Sequence, residues 1–118
     1  MFVPLRQGHS QDDVTAFAVR VGEELARRKP DLVTMEFSKK ARGTRVYADP
    51  FRNAYLQTIV TPYSVRRRPH APVSTPLAWD EVTPKLDPAQ FTIRTLEKRL
   101  GNVDPWKDFR RRAVKLPR

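Results

Sequence analysis

The sequence predicts an α+β fold in which short strands, flanking helices and a long proline-rich loop share one small domain. Three observations carry that expectation. Residues 10–30 have helical apolar spacing, residues 46–48 and 56–60 are short runs suited to strands, and five prolines fall between Arg66 and Pro88.

Met1-Phe-Val-Pro-Leu5 reads as the tail of a buried strand whose earlier part is absent, because the run is apolar and Pro4 suits a strand end. Ser10 then opens a helix, with Asp13 placed where the amide dipoles favour negative charge. Val14, Phe17, Ala18, Val21 and Leu25 follow at spacings of three and four and form one stripe facing a core. Arg27, Arg28 and Lys29 complement the carbonyl end, and Pro30 stops the helix.

Lys39–Arg45 reads as a basic, glycine-containing loop, and Val46-Tyr-Ala48 as a short strand running into Asp49 and ended by Pro50. Leu56–Val60 reads as a second strand that Thr61–Val65 prolongs or kinks. The proline-rich stretch from Arg66 to Pro88 admits at most a helical turn at Leu77–Val82, anchored by Trp79. Leu96 and Leu100 lie on a short helix that begins near Thr95, whose hydroxyl caps it, and stops at Gly101. Trp106 and Phe109 pack as a last turn in which Asp104 caps and Pro105 takes the first position. Arg110, Arg111, Arg112, Lys115 and Arg118 have no acid among them, so the domain is read as residues 1–109 followed by a frayed basic tail, 110–118.

With no cysteine in 118 residues, a disulfide scaffold, a zinc ribbon, a thiolate cluster and a cysteine nucleophile are excluded. No apolar run approaches the roughly 20 residues of a membrane span, and Met1–Leu5 leads into Arg6 and Gln7 rather than a signal-peptide core. The expectation is a soluble, cytoplasmic protein. Its 23 Lys and Arg against 13 Asp and Glu give a net charge of +10, which favours a polyanionic partner. Nucleic acid is the commonest such partner; an anionic membrane surface or an acidic protein is the alternative.

His9 and His70 are the histidines available for nucleophile-base chemistry, and solvent exposure is the default reading of both. Asp49 has Arg45 four residues before it and Arg52 three after, at the end of an apolar strand. It is either a turn former ahead of Pro50 or a metal ligand displayed at a strand edge, and one carboxylate does not hold a magnesium ion alone. Arg42, Arg45, Arg52, Arg66, Arg67 and Arg68 form either a nucleotide site, where forked donors grip a triphosphate, or a generally basic surface. Neither G-x-G-x-x-G nor G-x-x-x-x-G-K is present.

The stretch Thr61-Pro-Tyr-Ser-Val-Arg-Arg-Arg-Pro-His-Ala-Pro-Val-Ser-Thr-Pro-Leu-Ala-Trp-Asp-Glu-Val82 resembles a signature of the polymerase domain of bacterial DNA ligase D, within the archaeo-eukaryotic primase superfamily. Val3-Pro-Leu5 with His9, Ser38–Lys40, Arg45–Asp49, Arg52-Asn53 and Asp104–Trp106 resemble successive segments of that family in the same order. The resemblance implies a partial primase/polymerase-type fold with a mixed or antiparallel sheet. It implies that Asp49 is the third acidic ligand of a two-metal site that takes Mn2+ or Mg2+ once completed. It further implies that Arg66 contacts the nucleotide triphosphate, with Arg52 and Ser64 beside it, and that Lys39, Lys40, Arg42, Arg67 and Arg68 face DNA.

The departures are specific. The family's first two acidic ligands form an Asp-x-Asp pair, and none occurs here. The family's phosphate-gripping Ser/Gly/Lys loop and its closing histidine precede the point where Met1 stands. Pro50 also follows Asp49, where the family usually has an aromatic or aliphatic residue. The expectation is therefore the carboxy-terminal part of a nucleotidyltransferase of non-homologous end joining, acting on DNA ends with NTP or dNTP. Alone it is expected to be inactive and to need an upstream half, with ligase or repair proteins as further partners. Met1–Leu5, Phe17 and Val21 would then be exposed or partner-facing. The alternative is a non-catalytic DNA-binding remnant or repair-partner module; a small basic protein of ribosome or nucleoid type rests on charge and length alone.

Overall fold

The structure, a computed structural model, describes residues 1–101 and 104–117. The chain divides into two compact units, one of Leu5–Ile59 with the C-terminal residues from Val114, the other of Met1–Pro4 with Val60–Ala113.

In the first unit, helix α1 spans Gln11–Arg28. Ser10 caps it reciprocally: the Ser10 hydroxyl accepts from the Asp13 amide at 3.1 Å, and the Asp13 carboxylate accepts from the Ser10 amide at 3.0 Å. The Ser10 hydroxyl, which also donates to the Asp13 carboxylate at 2.7 Å, and then the Ser10 amide hold the Asp13 carboxyl below the usual carboxylate range. Arg27 and Arg28 both donate to Glu24, one turn back, and draw its carboxyl down to about 2. The expected apolar stripe divides. Val14, Phe17 and Ala18 are half-buried, Val21 and Leu25 are exposed, and the buried residue of α1 is Gly22.

Gly22 is small for a reason of contact. A Cβ there would lie 3.0 Å from Met35 Sδ and 3.5 Å from the Ala48 Cβ, so the helix backbone rests close against the segments flanking two short strands. These are β1, Val33–Thr34, and β2, Val46–Tyr47, paired in register Val33 to Val46 and Thr34 to Tyr47. The α+β class holds, but this ladder is parallel, and among the described residues antiparallel pairing is limited to isolated bridges in the second unit. The reason lies in the connection. Between the strands the chain forms helix α2, Lys39–Arg42, and this crossover returns β2 alongside β1 in the same direction.

Helix α2 replaces the expected basic loop. The Ser38 hydroxyl accepts from the Ala41 amide at 3.4 Å, the Arg45 guanidinium donates to the carbonyls of Ala41 and Arg42 at 3.0 Å each, and Gly43 turns out with φ +62°. After β2, Pro50–Asn53 forms a 3₁₀ turn that packs against α1. The strand expected at Leu56–Val60 is absent. Leu56 takes a left-handed φ of +59°, and no described residue pairs with this run, so it lacks the neighbour from which a strand draws its hydrogen bonds.

The expected frayed tail is also corrected. Val114 bridges Leu5, its carbonyl accepts from the Arg6 amide at 2.9 Å, and the Leu116 amide donates to His9 Nε2 at 3.2 Å. His9 is accordingly half-buried rather than solvent-exposed. Arg118, read as part of that tail, lies outside the described residues.

In the second unit, bridges Val65–Val73 and Pro72–Thr92 are antiparallel and enclose Val73, which is 6% exposed. Helix α3, Ile93–Leu100, is capped by Thr92 rather than Thr95, the two threonines exchanging side-chain and backbone bonds. The turn expected near Trp79 exists as Trp79–Glu81, but Trp79 is 77% exposed and Glu81 is the anchor. Glu81 accepts from the Ala78 amide at 2.7 Å and from both terminal nitrogens of Arg99 at 2.5 and 2.7 Å, while Arg99 also donates to the Pro76 carbonyl. Trp106 stacks on Phe109 at 3.9 Å and meets the edge of Phe2 at 5.5 Å. The Tyr63 hydroxyl donates to Asp104; burial first and this bond second push the Tyr63 phenol up to about 12. Among the described residues, no helix is long and apolar enough to cross a membrane.

Two outcomes test this packing. Gly22→Ala is expected to be near neutral, because a helix-propensity gain of about 1 kcal/mol offsets displacement of the flexible Met35 end. Gly22→Leu is expected to cost about 1–3 kcal/mol; equal urea midpoints for Gly22→Leu and wild type would contradict the close approach. Arg99→Met is expected to cost about 2 kcal/mol, since both partners are half-buried and Glu81 would lose its charged donor. The Arg99 bond holds the Glu81 carboxyl below its ordinary 4.5. Its contribution is therefore present above that value and lost as pH falls through the lowered one. Arg99→Met should narrow the stability difference between pH 7 and pH 3 in urea titrations.

Candidate functional site

Asp49 stands where β2 gives way to the Pro50–Asn53 turn, so the strand direction and the packing of that turn on α1 fix its position. Its carboxylate makes no capping bond to the turn's amides. It accepts instead from Arg52 Nε at 2.9 Å, and Arg52 Nη1 reaches Gln57 Oε1 at 3.3 Å. The Asn53 side chain donates to the Pro50 carbonyl at 2.9 Å and closes the turn on itself. The structure thus brings together two of the residues singled out from sequence, Asp49 and Arg52.

Lys39, Lys40 and Arg42 all lie on α2, but they differ in availability. Arg42 is committed locally: it donates to the Phe37 carbonyl at 2.9 Å and lies 4.4 Å over the Tyr47 ring. The Lys39 and Lys40 side chains are exposed. Arg45, one of the clustered arginines, is spent on the carbonyl end of α2.

Arg66, Arg67 and Arg68 belong to the second unit, on the exposed loop between bridged Val65 and Val73. The Arg66 amide donates to the Pro72 carbonyl at 2.7 Å, and the loop closes through His70 and Ala71 at φ +65° and +45°. Two consecutive left-handed residues that are not glycine store strain of about 1–2 kcal/mol each, held by the bridge at the loop's base. The Ser64 hydroxyl donates to the Thr61 carbonyl at 2.8 Å and so serves its own turn.

The residues present do not hold a divalent metal by themselves. Among the described residues no three His, Cys, Asp or Glu side chains gather in one place, and the Asp49 carboxylate already faces a guanidinium. An open cleft of about 580 Å³ beside His9 is lined by Asp13, Phe17, Arg20 and Lys115 among others, and none of the site residues predicted from sequence lines it. Sequence reasoning missed the Tyr63–Asp104 and Glu81–Arg99 pairs, which join residues 41 and 18 positions apart. At those separations no local spacing marks either pair.

A family model for the LigD primase-polymerase domain matches residues 1–106. The chain is 32% identical over 112 residues to the multifunctional non-homologous end joining protein LigD of Pseudomonas aeruginosa, covering 92% of this chain and 13% of that protein. It is 35% identical over 109 residues to the Mycolicibacterium smegmatis protein of the same name, with 92% and 14% covered. With the bifunctional LigD of Bacillus subtilis it shares 33% over 119 residues, 99% of this chain and 20% of the relative. Among solved structures, the polymerase domain from Mycobacterium tuberculosis ligase D in complex with DNA matches with a TM-score of 0.82 and 30% identity, over 94% of this chain and 39% of that one. The chain thus spans a fifth or less of those curated relatives and a minority of the solved domain. A sequence match over residues 1–106 and a shared fold agree, and the chain belongs to the LigD primase-polymerase domain family.

Proposed function

We propose that this chain supplies part of a nucleotidyltransferase centre used in non-homologous end joining, in the bacterial cytoplasm. The observation that carries the reading is the Asp49–Arg52 pair, a carboxylate and a guanidinium 2.9 Å apart at the end of β2. In this reading Asp49 contributes one acidic ligand to a site for Mn2+ or Mg2+, and the remaining acids come from residues outside this chain. Arg52 holds the carboxylate in place until that site is completed and then turns to the nucleotide phosphates. Arg66, on the strained loop, takes the triphosphate with Ser64 beside it; Lys39, Lys40, Arg67 and Arg68 face the DNA backbone, and Arg42, expected to do the same, instead braces the α2 lysines through its bond to the Phe37 carbonyl.

The exposed apolar side chains support an incomplete domain. Met1, Phe2, Val3, Val21, Leu25, Phe51, Leu56 and Ile59 are all exposed, a pattern expected where a further polypeptide packs. The portion that acts as polymerase is taken as residues 1–109, with 110–118 as a basic extension that adds DNA contact. A second reading, a non-catalytic DNA-binding module, is favoured by one observation, the lack of any acid cluster around Asp49 among the described residues.

Incubation with a DNA end bearing a 3′ overhang, labelled dNTP and Mn2+ separates the two. The isolated chain is expected to add no nucleotide. Mixed with a separately expressed segment carrying the Asp-x-Asp residues of a related polymerase domain, it is expected to support addition that Asp49→Asn reduces to background. Light scattering checks that the variant still assembles. Addition by the isolated chain would overturn the incompleteness, and addition indifferent to Asp49→Asn would overturn the role given to that carboxylate.

A further inference from the structure

Phe37 lies between β1 and α2 and is 78% exposed, so its ring returns almost nothing to the core. Its surroundings are nevertheless built. The Phe37 carbonyl accepts from Arg42 Nη2 at 2.9 Å, and the Glu36 carbonyl accepts from Arg42 Nε at 3.4 Å. The amide of Glu36 donates to the Thr34 hydroxyl at 3.1 Å, and that of Ser38 to the Glu36 carboxylate at 2.9 Å. The ring itself meets Tyr47 edge to face, with centroids 6.1 Å apart and planes at 78°, while the Arg42 guanidinium lies over Tyr47. The backbone is pinned on both sides and the ring is propped by a neighbour, an arrangement that lowers the entropy lost when a flat partner is taken up.

The charge beside the ring selects the partner. Lys39 and Lys40 follow within three residues and are exposed, and the nearby acid, Glu36, is occupied by the Ser38 amide. We propose that Phe37 is a base-stacking contact for single-stranded nucleic acid, with Lys39 and Lys40 taking the adjacent phosphates. An aromatic face accepts any unstacked base and is of no use to a paired duplex, whereas the two ammonium groups discourage a second copy of the same surface. This rests on the reading that the α2 face meets DNA and adds to it the strand state recognised and the residue that recognises it.

Fluorescence anisotropy of the full chain with a labelled oligothymidylate of about 15 nucleotides tests it. Phe37→Ala is expected to weaken binding about tenfold without changing the slope of log affinity against log salt. Phe37→Trp should retain the affinity and gain an emission component that the oligonucleotide quenches. Combined Lys39→Ala and Lys40→Ala should lower the salt slope by roughly 1.4. If the lysine variant weakens binding and Phe37→Ala does not, the stacking role is overturned while the DNA-facing reading stands. If the wild type shows no salt-dependent binding, both fall. If Phe37→Ala changes the mass seen by light scattering and leaves oligonucleotide affinity intact, the ring is a protein contact and the proposal is overturned.

Discussion

The close approach of α1 at Gly22 is the constraint on which the Leu5–Ile59 unit depends. Without a side chain at that position, Met35 and Ala48 reach the helix, and Ala48 is the residue before Asp49. The Pro50–Asn53 turn then packs on the same helix, so Asp49 is fixed from both sides by contacts of α1. A capped, charge-complemented helix serves as the platform for one carboxylate. Very little of this is deep burial. Among the described residues of the unit, Gly22, Thr34 and Pro50 are the buried ones, and the positions around them rely on shape and backbone bonds.

The basic composition is less free than its net charge suggests. Arg42 and Arg45 are bound to carbonyls around α2, Arg52 to Asp49, Arg99 to Glu81, and Arg27 and Arg28 to Glu24. Guanidinium groups suit this use because their fixed fork of donors can satisfy several acceptors at once. Exposed cations include the lysines of α2 in one unit and, in the other, the Arg66–Arg68 loop and Arg110–Arg112.

Much of this was legible in the residues, for reasons that also explain what was not. Helix α1 could be read because its cap, its period and its final arginines agree. Its buried face could not, because the stripe through Val21 and Leu25 carries larger apolar side chains than the one through Ala18, Gly22 and Ala26, and only the close approach shows that the smaller face is the buried one. Strand β1 has two residues and no periodicity to detect, while Leu56–Val60 has strand composition without a partner. Helix α2 was hidden by glycine and lysine content and depends on the Ser38 cap and the Arg45 bonds. At the site, the spacing of three between Asp49 and Arg52 made their pairing readable. The left-handed residues behind Arg66 and the long-range partners of Tyr63 and Arg99 depend on folding and leave no local pattern.

Under the proposed reading, one carboxylate held by one guanidinium is a corner of a metal site and not a whole one. Manganese titration of the isolated chain, followed by electron paramagnetic resonance, measures this directly. The result expected is the spectrum of the free aqueous ion, unchanged by Asp49→Asn. A stoichiometric bound signal in the wild type that Asp49→Asn removes would contradict it, because the chain would then carry a complete site of its own.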